Sequence, residues 1–210
     1  MSDSPAHADP DSSVEVPAAA SGGVAFSRVL PWLLFVGGLI GFIASFVLTV
    51  EKLELLKDGS YVPSCSIDAV MDCGAVMVTS QAAVFGFPNS LIGLAGFAIV
   101  TTTGAGLLAR ARFARWYWLG LQIGLTAAVV FVHWLILQSL FVIESLCPYC
   151  MVVWAVTVPM FWYVTLRNLN QGVFSPRVPT QVVSAAGNHL LPILVWFFTI
   201  GGLVVYLFYI

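Results

Sequence analysis

Four side chains have the type and spacing to share one chemistry: Cys65, Cys73, Cys147 and Cys150, the only cysteines in the chain. Cys147 and Cys150 enclose a CPYC motif. Three apart at a helix start, their Cα atoms fall about 5–6 Å apart, inside the disulfide range. Pro148 suits the first helical turn, and a helix N-terminus stabilises a thiolate, which makes CxxC thiols reactive. Cys65 and Cys73 are spaced differently. On a single helix they would stand roughly 12 Å apart, too far to bridge. Ile67, Val70, Met71, Gly74 and Met77–Val78 form an apolar face with Asp68 and Asp72 opposite, which predicts a short surface helix. Cys65 then has to fold back from the Pro63–Ser64 turn to reach Cys73, an arrangement that suits a mobile shuttle.

The elements that position these thiols cross a membrane. The 210 residues are 60% hydrophobic and 9% charged, with a mean hydropathy of +0.96. That leaves too few charges to cover a soluble domain. The net charge is −2 with no basic run, which leaves no electrostatic footprint for nucleic acid. Five apolar stretches reach the roughly 20 residues that a bilayer core demands: Val29–Val50, Asn89–Ala109, Trp116–Ile143, Pro148–Leu166 and Leu190–Tyr209. The fold class expected is all-α, a five-span integral membrane protein.

Residues 1–27, rich in Pro, Ser, Ala and Asp, are expected to form a disordered cytoplasmic tail. With no charged n-region ahead of it, the first stretch reads as a retained span rather than a signal peptide. Residues 28–167 make a core with a loop at 51–88, followed by a cytoplasmic loop at 168–189 and a fifth helix at 190–210. Arg28, Arg110, Arg112, Arg115, Arg167 and Arg177 fall on one side, against Lys52 and Lys57 on the other. The positive-inside rule then puts the N-terminus in the cytoplasm and the C-terminus outside. All four cysteines share the outer, oxidising side, where disulfides persist.

Other cysteine chemistries compete. Two fixed disulfides would staple the outer loop, one of three connectivities open to four cysteines. A tetrahedral zinc site sits poorly with an oxidising location and C-x7-C spacing. Haem attachment needs CxxCH, and Met151 follows Cys150. Redox exchange is favoured because a CxxC capping a membrane helix has little structural purpose.

Together, the C-x7-C pair, the stretch DCGAVMVTSQAAVFGFPNSLIG from Asp72 to Gly93, and CPYC resemble the vitamin K epoxide reductase family. The order and spacing match over about Arg28 to Arg167, and the chain looks most like the bacterial branch, in particular its actinobacterial and mycobacterial members. The resemblance implies a four-helix bundle around a quinone, with the loop helix over its outer mouth. It implies a membrane oxidoreductase that reoxidises an extracytoplasmic thioredoxin-like partner, passes the electrons to a quinone and supports disulfide formation in exported proteins. Many bacterial relatives carry a thioredoxin-like domain after the fifth span. This sequence stops at Ile210, so the partner is expected to act as a separate protein.

Carried over by motif, Cys65 takes electrons from the partner, Cys73 exchanges with Cys147, and Cys150 faces the quinone. Asn89 matches the family asparagine that reaches a quinone oxygen, although it would also suit a helix N-cap after Phe87–Pro88. Thr79, with Ser80, lies at or near a family polar position. Trp154 stands where animal members carry a tyrosine. Its N–H donates but does not accept, a departure that favours a bacterial quinone such as menaquinone over an epoxide. No metal is implied.

Phe87, with Phe85, Tyr149 and Trp162, is a candidate for lining the quinone pocket, where interfacial aromatics are also common for other reasons. His133 is 14 residues from Cys147, roughly 21 Å along a helix, so a neutral structural histidine is expected there. Glu144 reads as a solvated helix-end carboxylate. Gly37, Gly38, Gly41, Gly93 and Gly96 allow close helix contact. The competing function is a non-enzymatic scaffold or solute transporter stapled by disulfides, but transporters show internal repeats and midplane charges that this sequence lacks.

Overall fold

The computed structural model describes residues 28–173 and 190–210. The tail expected at 1–27, Arg177 and most of the loop expected at 168–189 lie outside the described residues. Five helices are long and apolar enough to span a bilayer: α1 (Arg28–Lys57), α3 (Asn89–Leu108), α4 (Arg115–Ile143), α5 (Pro148–Asn170) and α6 (Leu191–Tyr209). A short helix, α2 (Cys73–Met77), lies in the loop between α1 and α3. No strand occurs among the described residues, only an isolated bridge between Met71 and Leu146. The all-α membrane architecture is the one expected.

Helix α1 runs seven residues past its apolar stretch, and an exposed Lys57–Glu54 pair, 2.7 Å apart, lies on its last turn. That extension carries Glu51 and Lys52 beyond the apolar run. It packs against both α3 and α5, and α4 packs against α5, closing a four-helix bundle. Small residues set the α1–α3 approach. A Cβ at Gly41 would meet the Phe97 ring at 2.5 Å, and one at Gly38 the Thr101 backbone at 2.9 Å. Gly104 lies against the Leu34–Phe35 backbone, a contact the sequence reading missed. Gly96, expected at such a contact, has open space beside it.

At the end away from the cysteines, Leu34, Phe97, Trp118, Met160 and Val164 form the main core. There the Asn168 amide donates to the Trp118 carbonyl and to Gln122, and the Arg167 guanidinium stacks over the Trp118 ring at 3.2 Å. Helix α6 sits beside the bundle, its Val204 packed with Val132, Ile136 and Trp154. Trp196 Nε1 donates to His133 Nε2 at 2.9 Å, while His133 Nδ1 lies 2.8 Å from the Val129 carbonyl. A carbonyl only accepts, so Nδ1 carries the proton and the ring is the neutral, fully bonded histidine expected.

Candidate redox site

The loop that carries the first cysteine pair is built from turns. Ser66 N–H donates to the Pro63 carbonyl at 3.0 Å, turning the chain at Cys65. Asp68 then accepts from the N–H groups of Val70 and Met71 at 2.8 and 2.7 Å, and Ile67 N–H closes on the Met71 carbonyl at 2.8 Å. Asp72 caps α2, accepting from Gly74 N–H at 2.9 Å and from the Ser66 hydroxyl at 2.5 Å. The Ser66 hydroxyl, with backbone N–H groups, holds the Asp72 carboxyl below the usual carboxylate range against a smaller desolvation effect. The fold-back brings the Cα atoms of Cys65 and Cys73 to 5.6 Å, and the two form a disulfide.

The helix is shorter than the apolar pattern predicts. Residues 67–71 belong to the turn closed by Asp68, which leaves Ile67 exposed, and Val78 is exposed beyond the last helical turn. The loop is nevertheless registered on the second cysteine pair. Leu146 N–H donates to the Val70 carbonyl at 2.8 Å, and the parallel Met71–Leu146 bridge brings Cys73 and Cys147 alongside. Their sulfurs lie 3.1 Å apart.

Cys147 is the extended N-cap of α5, and Pro148 occupies the first turn. Proline suits that position because its missing N–H would be unpaired there anyway. Cys147 and Cys150 carry free thiols. Hydrogen bonding from the Cys150 thiol, with the N–H groups of Cys150 and Tyr149, holds Cys147 below the ordinary thiol range despite burial. Cys147 is thus favoured as the thiolate of the pair. The sulfurs of Cys65, Cys73 and Cys147 lie within 4.8 Å of one another. Two of them are joined as a disulfide, and the third, Cys147, faces that disulfide, the geometry that thiol–disulfide exchange requires.

Both CPYC thiols open onto a cavity of about 90 Å³ between the bundle and the loop, with Leu48, Lys52, Met77, Thr79, Asn89, Leu135, Ile143 and Trp154 among its lining. Asn89 does not cap α3. Its amide N–H donates to the Gln81 carbonyl at 2.6 Å and its carbonyl accepts from Val84 N–H at 3.2 Å. These bonds tie the turn at Ser80–Ala83 to the helix start. Thr79 donates its hydroxyl to the Val76 carbonyl at 2.7 Å. Trp154 is buried.

Phe87 falls elsewhere: it is 44% exposed, stacked on Phe85 with ring centroids 6.3 Å apart, and outside the cavity lining because the chain turns inward only after it, at Pro88. Trp162 packs in the main core and Tyr149 beside the cysteine cluster. Glu144 is exposed and takes a left-handed conformation where α4 ends. The sequence reading used Lys52 only as a topological charge and passed over Glu51 and Leu146. The available signal was a Glu–Lys pair closing a span otherwise free of charge.

The Vitamin K epoxide reductase family model matches residues 32–165, more than half of the chain, and so takes in both cysteine pairs and the cavity between them. No curated protein matches the chain. With the family's sequence pattern carried on an all-helical membrane bundle whose two cysteine pairs meet, the chain belongs to the vitamin K epoxide reductase family, a family of membrane thiol–disulfide oxidoreductases.

Proposed function

We propose that the protein reoxidises an extracytoplasmic thioredoxin-like partner and delivers the two electrons to a membrane quinone, menaquinone being the best fit, so supporting disulfide formation in exported proteins. The redox core is residues 28–167, with the 51–88 loop outside the cell membrane, the N-terminus in the cytoplasm and α6 flanking the core. The observation that carries the reading is the 3.1 Å approach of Cys73 to Cys147, with both CPYC thiols on a cavity.

The thiol steps balance without a further reagent. A partner thiolate attacks the loop disulfide at Cys65 and expels Cys73; the partner's second thiol then closes the partner's own disulfide and expels Cys65, leaving a loop dithiol. The Cys73 thiolate then attacks Cys147 in an oxidised CPYC and expels Cys150. Cys65 attacks Cys73 and expels Cys147, which restores the loop disulfide and leaves a CPYC dithiol. That sequence ends on a loop disulfide beside two free CPYC thiols, the pairing described above.

A quinone supplies an acceptor for two electrons and two protons, and the residues present fit one. Leu48, Leu135, Ile143 and Trp154 offer apolar walls to a planar ring. Asn89 uses one amide N–H on Gln81 and keeps a second to donate. Thr79 has given its proton to Val76 and keeps lone pairs to accept. Phe87 is not in this set.

The test is quinone reduction by purified protein with a dithiol donor. Reduction is expected in the parent chain and is expected to vanish in Cys147→Ser and Cys150→Ser. A folded parent chain with all four cysteines intact that leaves the quinone oxidised would sink the reading.

A further inference from the structure

Two adjacent residues at the cysteine end of α1 reach in opposite directions along the loop. The Glu51 carboxylate accepts from Tyr61 Oη at 2.8 Å, from the Ser64 hydroxyl at 2.5 Å, and from Ser64 N–H at 3.2 and 3.3 Å to its two oxygens. These partners are the residues just ahead of Cys65. Lys52 Nζ donates to the Met77 carbonyl at 2.6 Å, at the C-terminus of the helix that Cys73 begins. A cation there meets the negative end of the short helix. Glu51 is only 6% exposed, and a buried carboxylate persists where donors surround it.

We propose that Glu51 and Lys52 are positioning residues: a two-point clamp that holds the loop disulfide against Cys147 and, by the same contacts, hides it from soluble thiols. The second half follows from burial. Cys65 is 5% exposed and Cys73 fully buried, so the arrangement that allows inner exchange blocks outer attack. Loosening the clamp must therefore move the two exchanges in opposite directions, slowing Cys73 with Cys147 and speeding attack on Cys65. A residue that only stabilised the fold would produce such shifts only together with a lowered unfolding midpoint, whereas loosening the clamp is expected to leave that midpoint in place. The proposal rests on the relay described above and assigns its timing to α1.

Two readouts on the full chain, taken with the thermal unfolding midpoint of each variant, separate these cases. In Cys147→Ser/Cys150→Ser protein only the loop pair remains, and its reduction by the water-soluble phosphine TCEP reports access. In Cys150→Ser protein the fraction recovered as a Cys73–Cys147 disulfide reports inner exchange. Adding Glu51→Gln keeps the side-chain shape and removes the charge behind these bonds. It is expected to raise the phosphine rate about tenfold, the equivalent of one charge-assisted hydrogen bond, and to lower the trapped fraction.

Tyr61→Phe, which deletes a single bond and leaves the carboxylate, should shift both readouts the same way by less. Lys52→Met should act like Glu51→Gln, and Lys52→Arg should restore both values. An unchanged phosphine rate in both Glu51→Gln and Tyr61→Phe would overturn the clamp, as would a fall in both readouts together. Neither quinone nor partner is present in the phosphine measurement. Failure of the clamp is thereby distinct from failure of the relay, which quinone reduction by the parent chain reads.

Discussion

The Cys147 sulfur lies 3.1 Å from the Cys73 sulfur, although the two residues are 74 positions apart and Cys73 is already bonded to Cys65. One backbone bond, from Leu146 N–H to the Val70 carbonyl, sets this contact by registering the loop on the chain just ahead of CPYC. A thiolate at Cys147 that forms a bond to Cys73 releases Cys65, and the reverse path runs through the same mixed disulfide. The contact is thus the point at which the two cysteine pairs meet.

The Cys150 thiol is the leading influence keeping Cys147 acidic, which makes reactivity pH-dependent in a defined sense. A lowered pKa keeps thiolate present below the ordinary thiol range, and reactivity falls as pH drops through that lowered value. Cys150→Ala removes the donor, so the fall should occur at higher pH, whereas Cys150→Ser keeps a hydroxyl donor and should shift less. The pH profile of Cys147 modification by a small methanethiosulfonate checks this. Identical profiles for the parent chain and Cys150→Ala would contradict it.

The bond between Trp196 and His133 is a polar tie between α6 and the bundle. Trp196→Phe leaves the His133 Nε2 acceptor unpaired and should cost about 1 kcal/mol of stability. Neither residue lines the cavity, so quinone reduction should persist. Thermal unfolding alongside the quinone assay measures both. Lost activity with unchanged unfolding would assign His133 a role in the chemistry.

Close packing of α1 on α3 gives a steric prediction. A Cβ at Gly104 would run into the Leu34–Phe35 backbone, which cannot swing aside as a side chain can. Gly104→Ala should therefore destabilise the bundle by about 1–3 kcal/mol. Gly96→Ala, with open space beside it, should be neutral or slightly stabilising through helix propensity. Equal unfolding midpoints for the two variants would refute the α1–α3 approach.

Topology reporters test the orientation. Fusions after Gly59 and after Ile210 should report the exterior and one after Arg112 the cytoplasm, given six Arg on one side and two Lys on the other. A cytoplasmic signal after Gly59 would put the cysteines in a reducing compartment and remove the setting the relay needs.

Hydropathy made the spans legible to within a few residues at every end except the last of α1, which runs seven residues on, since a bilayer imposes a length on each of them. Pro148 likewise marked the start of α5, because proline at a first turn is a local signal. The loop was read less well. Asp68 and Asp72 looked like one polar helix face, but each is spent on backbone N–H groups, which breaks the segment into a turn and a five-residue helix. The Trp196–His133 bond joins segments 63 positions apart and left no local trace, while the ties of Asn89 to Gln81 and Val84 and of Glu51 to Ser64 depend on how the loop folds back. The resemblance placed Cys73 opposite Cys147, but the bridge at Met71 and Leu146 that sets their register is visible only in three dimensions.

The most direct measurement of the central claim is disulfide mapping, by mass spectrometry of non-reduced peptides, on Cys150→Ser protein alkylated straight from membranes. Without its CPYC partner, Cys147 should accumulate joined to Cys73, with Cys65 alkylated. Recovery of Cys147 joined to Cys65, with Cys73 free, would show that the loop cysteines carry the opposite roles and contradict the relay described here.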